Sequence, residues 1–258
     1  MLPLDCPGSE LHLRPLFPVA LAEVQRRPDP LELAIQLQDL RALRGEACSN
    51  PDPGCAWTGD LQGVWQLHRH ATFAPLVRQL CGHAAEFLEQ LGFAPERVAL
   101  QVQRCWPVLS EFGQVVGRHH HPNAHLSAVY YFTGDGGGEQ GSLRLFAPTT
   151  GNELVPGMAV GHDGPLRASA WTRPWVDVAP RAGLLLLFPA SLDHAVLPNR
   201  DPDSLRCSLS LDLVLSAPAG TAPPEYLAPH PSHWQDLGSG PIGWEDGQHQ
   251  PDDGRLRD

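Results

Sequence analysis

The feature that most constrains the fold is a series of short strand-like segments that begins at Val98. Val98, Leu100 and Val102 alternate with polar or small residues, which is the period of a half-buried strand. Seven further apolar or alternating runs follow, at residues 114–121, 126–132, 142–146, 175–178, 184–188, 194–197 and 206–215. Glycine, proline or aspartate separates most of these runs, and no helical pattern lies between them. The pattern predicts an antiparallel sandwich or barrel rather than a parallel α/β sheet.

The first hundred residues have a different, helical pattern. Asp29 and Pro30 are a suitable N-cap and first-turn residue, and apolar residues follow them at helical spacing. A second helix is predicted from about residue 74 to residue 91, with Thr72 as its cap and Gly92 just beyond its end. We therefore expect a mainly β chain with N-terminal helices, of the α+β class.

Three regions follow from these patterns. Residues 1–97 are predicted to form a helical support that packs on the core, and residues 98–216 to form the β core. Residues 217–258 are rich in proline and glycine, and we expect a partly disordered tail there. The glycine-rich connection between Thr150 and Arg173 is long for a compact domain, which predicts a lid over a substrate.

Composition excludes some classes of partner. The chain has 18 basic and 29 acidic residues, for a formal net charge of −11, which argues against binding to nucleic acid or to a membrane surface through bulk charge. The six cysteines are scattered without a C-x-x-C motif, and the N-terminus has no secretory pattern. We expect a reduced, cytoplasmic chain.

Candidate chemistry is concentrated in the stretch from Arg118 to Phe132, where four histidines occupy seven positions. Residues i and i+2 of a strand point to the same face, so His119 and His121 can reach one metal ion while His120 points away. His194, after a strongly apolar strand, is the candidate third ligand. Its neighbour Asp193 is expected to point the opposite way.

Five motifs occur in a fixed order along the β region. They are Trp106, H-x-H-P-N at 119–123, LSAVYY at 126–131, G-x-x-x-x-F-P followed by H-x-V-x-P-N within 183–199, and R-x-S-x-S at 206–210. This order resembles the iron(II)- and 2-oxoglutarate-dependent oxygenases, most closely a bacterial and phage subgroup of them. The resemblance covers roughly residues 16–215, weakly in the helical part and strongly in the β region.

The resemblance implies a double-stranded β-helix core, of the jelly-roll or cupin-like kind. It further implies a dioxygenase that uses iron(II), 2-oxoglutarate and O2 to hydroxylate an unactivated C–H bond of a small-molecule or peptide substrate, releasing succinate and CO2. His119, His121 and His194 would be the catalytic metal ligands. The usual third ligand in this family is a carboxylate, and this chain has His121 in that position.

The resemblance also assigns the cosubstrate site. Arg206 would pair with the distal carboxylate of 2-oxoglutarate, because its guanidinium group suits a bidentate contact. Ser208, two residues further on the same strand face, would add a hydroxyl hydrogen bond. Asn123 and Tyr131 are further candidates for contact with the cosubstrate.

Other interpretations of the same residues stay open. Three histidines on a β-barrel also describe cupin-type dioxygenases that do not use 2-oxoglutarate, in which Arg206 would hold a carboxylate of the substrate. Three histidines can likewise bind zinc with an activated water molecule. The histidine cluster could also belong to a metal-binding module without catalytic activity.

Overall fold

The computed structural model describes residues 12–46, 52–154, 165–167 and 169–235. This part of the chain contains two α-helices and ten β-strands. The helices are α1 (Pro30–Glu46) and α2 (Ala74–Gln90). The strands are β1 (Ala22–Gln25), β2 (Trp57–Thr58), β3 (Ala99–Ser110), β4 (Val116–His119), β5 (Leu126–Tyr131), β6 (Leu143–Phe146), β7 (Trp175–Val178), β8 (Leu184–Pro189), β9 (His194–Val196) and β10 (Arg206–Ser216).

The strands form two antiparallel sheets. The larger sheet has the order β1-β8-β5-β10-β3-β2, and the smaller has the order β4-β9-β6-β7. Strands distant in the chain are neighbours in both sheets, as in a jelly roll. The predicted fold class is confirmed: the chain is mainly β with N-terminal helices and has a double-stranded β-helix core.

The larger sheet is buried on both faces. Its outer face packs on the helices, where Leu40 of α1 and Leu80 of α2 belong to one apolar cluster with Leu185 of β8. Its inner face packs on the smaller sheet, where Leu186 of β8 and Leu143 of β6 share a second cluster. This two-sided burial explains why the sequence of β8 is continuously apolar instead of alternating.

Both predicted helices are present. The side chain of Asp29 caps α1, because its Oδ1 accepts hydrogen bonds from the amides of Leu31 and Glu32 at 3.0 and 2.9 Å. The predicted cap of α2 is wrong. The hydroxyl of Thr72 donates instead to Asp39 at 2.6 Å, which joins the start of α2 to α1.

The region before residue 98 contributes strands as well as helices. β1 pairs with β8, and β2 pairs with β3, so both edges of the larger sheet come from this region. β3 also continues past Pro107 to Ser110, further than the sequence predicted. The division of the chain into three regions at residues 97 and 216 stays a prediction.

Parts of two predicted features lie outside the described residues. Most of the glycine-rich connection between residues 150 and 173 does so, and the lid stays a prediction. The tail is described only as far as residue 235, with the amide of Ala217 donating to the carbonyl of Ala228 at 2.8 Å. Among the described helices, none has the length and apolar character needed to span a membrane.

Candidate metal and cosubstrate site

The structure brings His119, His121 and His194 together. His119 ends β4 and lies directly opposite His194 at the start of β9, and His121 follows two residues later on the same chain segment. The ring centroids are 4.3 Å apart for His119 and His194, and 5.1 Å apart for each of the other two pairs. One nitrogen from each ring lies within 4.8 Å of the others, so the three side chains could hold a single metal ion.

Two of the rings are oriented by the backbone. Nδ1 of His119 lies 2.7 Å from the carbonyl oxygen of Gly117, and Nδ1 of His194 lies 2.9 Å from the carbonyl oxygen of Leu192. A carbonyl can only accept, so each Nδ1 carries the proton and donates. Nε2 of each ring is then an unprotonated nitrogen, as a metal ligand must be.

The third ring is oriented by an acidic side chain that sequence reasoning missed. Nδ1 of His121 lies 2.6 Å from Oδ1 of Asp212, whose side chain is fully buried. The other carboxylate oxygen accepts from Nε and Nη2 of Arg104 at 2.9 and 2.6 Å. Burial alone would raise the pKa of Asp212, but hydrogen bonds and charge from His121 and Arg104 lower it below its usual value.

Burial also keeps two of the histidines neutral. It lowers the pKa of His194 to about 4 and lowers that of His119 as well. Both imidazoles are therefore unprotonated at neutral pH, the state that binds metal. His120 points away from the cluster, as predicted. It contacts Asp193, with 3.0 Å between Nδ1 and Oδ1, and Asp193 also pairs with Arg118.

Trp106 packs against the same cluster. Its ring is stacked on that of His121, with 5.7 Å between the centroids and 25° between the planes. The guanidinium carbon of Arg104 lies 5.0 Å from the centroid of the Trp106 ring on β3. Trp106 therefore restricts the position of the His121 ring by direct contact.

Arg206 lies at a buried position at the start of β10. It is 1% exposed, and within the described part of the chain Nε and Nη1 have no hydrogen-bond partner. The same holds for the hydroxyl groups of Ser110, which lies opposite Arg206 in the sheet, and of Tyr131, whose ring lies beside the guanidinium group. Burial raises the pKa of Tyr131, with the charge of Arg206 acting in the opposite direction. Unpaired buried cations and hydroxyls are unfavourable, so this group of side chains is suited to an anionic ligand.

The remaining predicted cosubstrate residues lie in two places, on the strands β5 and β10 and in the turn between β4 and β5. Ser208 is buried and lies opposite Tyr131 in the pairing of β10 with β5. Asn123 is near the histidines, where its side-chain amide donates to Gln103 and, at 3.3 Å, to Asp212. The structure therefore groups Ser208 and Tyr131 with Arg206, and Asn123 with the histidines. The roles of all four in cosubstrate binding stay predictions.

A cavity of about 540 Å³ joins the histidines to Arg206. Its volume lies within the range of ordinary small-molecule sites. Residues of both sheets line it, and apolar side chains such as Val108, Val129 and Phe188 predominate between the two polar ends.

The comparisons with known proteins agree with this arrangement. The model of a family described as "Putative 2OG-Fe(II) oxygenase" matches residues 104–212. No curated protein matches the chain. Among solved structures, the non-heme alpha ketoglutarate dependent carbocyclase SnoK from nogalamycin biosynthesis is 15% identical, with 78% of this chain and 83% of SnoK covered and a TM-score of 0.53.

Two further solved structures share the fold at a similar level. The epimerase SnoN, in complex with Fe3+, alpha ketoglutarate and nogalamycin RO, is 21% identical, with 84% of this chain and 88% of SnoN covered and a TM-score of 0.51. AviO1 from Streptomyces viridochromogenes Tue57 is 18% identical, with 80% of this chain and 93% of AviO1 covered and a TM-score of 0.51. The bacterial and phage subgroup stays a prediction. The resemblance carried by the five motifs is confirmed over the β core, where residues 104–212 match the model of the 2OG-Fe(II) oxygenase family.

Proposed function

We propose that the protein is an iron(II)- and 2-oxoglutarate-dependent dioxygenase that hydroxylates a C–H bond of a small-molecule or peptide substrate. The observation that carries this proposal is the composition of one cavity. Three imidazoles converge at one end of it. In its wall lies the buried guanidinium group of Arg206, of which two nitrogens have no hydrogen-bond partner among the described residues. A metal ion and a dicarboxylate would satisfy both groups at once.

The donor set fits iron(II). Three nitrogen ligands grouped on one side of an ion leave coordination positions for a bidentate cosubstrate and for O2. The backbone contacts of His119 and His194 hold their rings in one tautomer, so binding requires little reorganisation of these side chains. When bound, iron(II) and 2-oxoglutarate would supply the oxidising chemistry, in which O2 and 2-oxoglutarate are converted to succinate and CO2 while one oxygen atom enters the substrate.

The unpaired groups around Arg206 fit the distal carboxylate of 2-oxoglutarate. Ser110 lies directly opposite Arg206 in the pairing of β3 with β10, so a hydroxyl adjoins the guanidinium group. Because Arg206 is almost fully buried, water would compete poorly for it, and a charged hydrogen bond there is worth about 1.5–3 kcal/mol. The apolar wall between the histidines and Arg206 would exclude water from the cosubstrate.

The substrate would enter over the histidines, where the cavity is lined by residues from several elements. Thr58, Asp60 and Leu61 contribute to this lining from one chain segment, and Arg118 and His120 contribute from another. This mixed rim presents both charges and apolar surface. It is compatible with a polar metabolite or with a peptide side chain.

Two measurements test the proposal. Anaerobic addition of iron(II) and then 2-oxoglutarate to the metal-free protein should produce the weak visible charge-transfer band of the chelate. In air, the same mixture should form succinate slowly, because cosubstrate oxidation without substrate is usually slow. Stabilisation by metal with no effect of 2-oxoglutarate on melting would contradict the proposal.

One observation favours a second candidate. The cluster contains a third imidazole where a carboxylate is usual, as in cupin-type dioxygenases that do not use 2-oxoglutarate. In that case Arg206 would bind a carboxylate of the substrate itself. Binding of small carboxylic acids in competition with 2-oxoglutarate, together with oxygen consumption that needs no 2-oxoglutarate, would identify this activity.

A further inference from the structure

Asp212 is the group that distinguishes His121 from the other two histidines. His119 and His194 donate from Nδ1 to neutral carbonyls, whereas His121 donates to a carboxylate at 2.6 Å. Asp212 is 0% exposed, so its charge is screened little by solvent. The contact therefore couples one imidazole of the cluster to a buried negative charge.

The carboxylate is held in place from its other side. Arg104 donates two hydrogen bonds to Oδ2 of Asp212, and Asn123 donates a third at 3.3 Å. These contacts leave Oδ1 to His121. The carboxylate therefore has a fixed orientation, and it in turn fixes the tautomer and the tilt of the His121 ring.

Arg104 does not remove the negative charge of the group as a whole. Its Nη1 lies 3.6 Å from Oδ2 of Asp60, so the arginine is shared between two acids. Asp60, Arg104 and Asp212 thus form a group of one basic and two acidic side chains. Arg104 therefore neutralises Asp212 only in part, and negative charge remains on the carboxylate that contacts His121.

Three neutral imidazoles leave the charge of a divalent ion uncompensated. A carboxylate behind a ligating histidine makes the imidazole a stronger donor and holds it in position. We propose that Asp212 is a positioning residue that supplies, through His121, the negative charge that the three-histidine cluster lacks. This inference rests on the proposed metal site, and it adds a residue and a role to it.

The test measures metal affinity without cosubstrate or turnover. Metal-stripped full-length protein is titrated with Co(II), followed by calorimetry and by the visible absorption of the bound ion. Asp212→Asn keeps the size of the side chain and an oxygen acceptor but removes the charge. We expect its Kd for Co(II) to rise about 10- to 100-fold, with a changed visible spectrum.

A matched control is available in the same region. Asp193 is also paired with a histidine and an arginine, but its partner His120 points away from the cluster. Asp193→Asn should change the Kd for Co(II) by less than about threefold, since the outer-shell effect requires contact with a ligand. Circular dichroism and melting curves of both variants establish that they are folded at the titration temperature.

A double-variant cycle separates an effect of Asp212 that acts through His121 from general support of the fold. His121→Asp places a carboxylate directly in the cluster, so the charge of Asp212 is no longer needed there. We expect Asp212→Asn to change the Kd by less than about threefold in the His121→Asp background, and at least about tenfold in the wild type. Equal losses in both backgrounds, or no loss in the wild type, would overturn the inference.

The outcomes for the two proposals differ. Co(II) binding that depends on Asp212, without any effect of 2-oxoglutarate, would support the role of Asp212 and contradict the proposed dioxygenase. Turnover that needs iron and 2-oxoglutarate, together with Co(II) binding that does not depend on Asp212, would support the proposed dioxygenase and contradict the role of Asp212. A wild-type protein that binds no divalent ion would overturn both.

Discussion

Arg206 lies over the ring of Tyr131, with its guanidinium carbon 5.1 Å from the ring centroid, and both side chains are almost fully buried. The ring supplies a favourable contact for the cation but no negative charge. The pair therefore stabilises Arg206 only in part, and an anion is needed to complete the arrangement.

Replacement of Arg206 should weaken the binding of 2-oxoglutarate without destabilising the ligand-free protein. Arg206→Met should weaken 2-oxoglutarate binding by about 1.5–3 kcal/mol, because a charged hydrogen-bonding group is lost. In the ligand-free protein, its free energy of unfolding should not fall, since an unpaired buried charge is replaced by an apolar side chain of similar length. Calorimetric titration with 2-oxoglutarate and urea unfolding measure the two effects.

Arg144→Met is a suitable control for this variant. Arg144 pairs with Asp177 on the smaller sheet, outside the cavity, so cosubstrate affinity should be unchanged. Wild-type affinity in Arg206→Met would remove Arg206 from the cosubstrate site.

The second prediction concerns the metal ligands. His194→Ala should abolish iron-dependent succinate formation, because two remaining imidazoles cannot complete the set, while circular dichroism shows a folded chain. His83→Ala is the matched control, since its side chain lies on α2, outside the cavity, and pairs with Glu86. Comparable loss of activity in both variants would show that the His194 effect does not reflect metal binding.

The third prediction is a pH dependence of the metal-free protein. Burial lowers the pKa of His194 from 6.5 to about 4, so below pH 6.5 the unfolded chain takes up a proton that the folded chain does not. Stability from this residue therefore falls as the pH drops from about 6.5 to about 4. At pH 5 the free energy of unfolding should be lower than at neutral pH by roughly 2 kcal/mol from this residue.

Urea unfolding at pH 7.5 and pH 5, with a chelator present, measures this effect. His194→Gln lacks the titrating group and should lose about 2 kcal/mol less than the wild type between the two pH values. Parallel losses in the two proteins would contradict the assignment of a depressed pKa to His194.

The fourth prediction concerns the glycine before β8. Gly183 has a φ of +84°, and a Cβ there would lie 2.3 Å from the carbonyl oxygen of Arg26. Gly183→Ala should therefore destabilise the protein by more than the 1–2 kcal/mol or so of the left-handed conformation alone. Gly220 has a φ of +75°, and no atom lies within 4 Å of a Cβ added there. Gly220→Ala therefore measures the cost of the left-handed conformation without a steric contact. Equal losses of unfolding free energy would show that the strand can shift away from the contact.

Most of the β architecture was accessible from the sequence, because strand period and turn residues are local signals. β7 was predicted with its observed bounds, and β10 within one residue. β1 and β2 were missed, since each is a short edge strand that is defined by its pairing with β8 or β3 and not by a pattern in its own sequence. Thr72 was taken for a cap because nothing in the local sequence indicates that its partner is Asp39, 33 residues away.

The predicted ligands and Arg206 came from motif order, and the structure brings the three histidines together. Asp212 was missed although it lies six residues after Arg206, and therefore on the same face of β10 as Ser208. The alternation R-x-S-x-S-x-D was a usable signal. What the sequence could not show is the contact with His121, which depends on a turn between β4 and β5 that carries the ring over β10.

β10 links the two ends of the cavity within one continuous strand. Asp212 lies six positions after Arg206 in the extended strand, about 20 Å along the chain, with Ser208 and Ser210 between them on the same face. A single inserted or deleted residue between them would turn one of the two away from the cavity. The length of the strand thus fixes the distance between Arg206 and Asp212, whichever residues line the rest of the cavity.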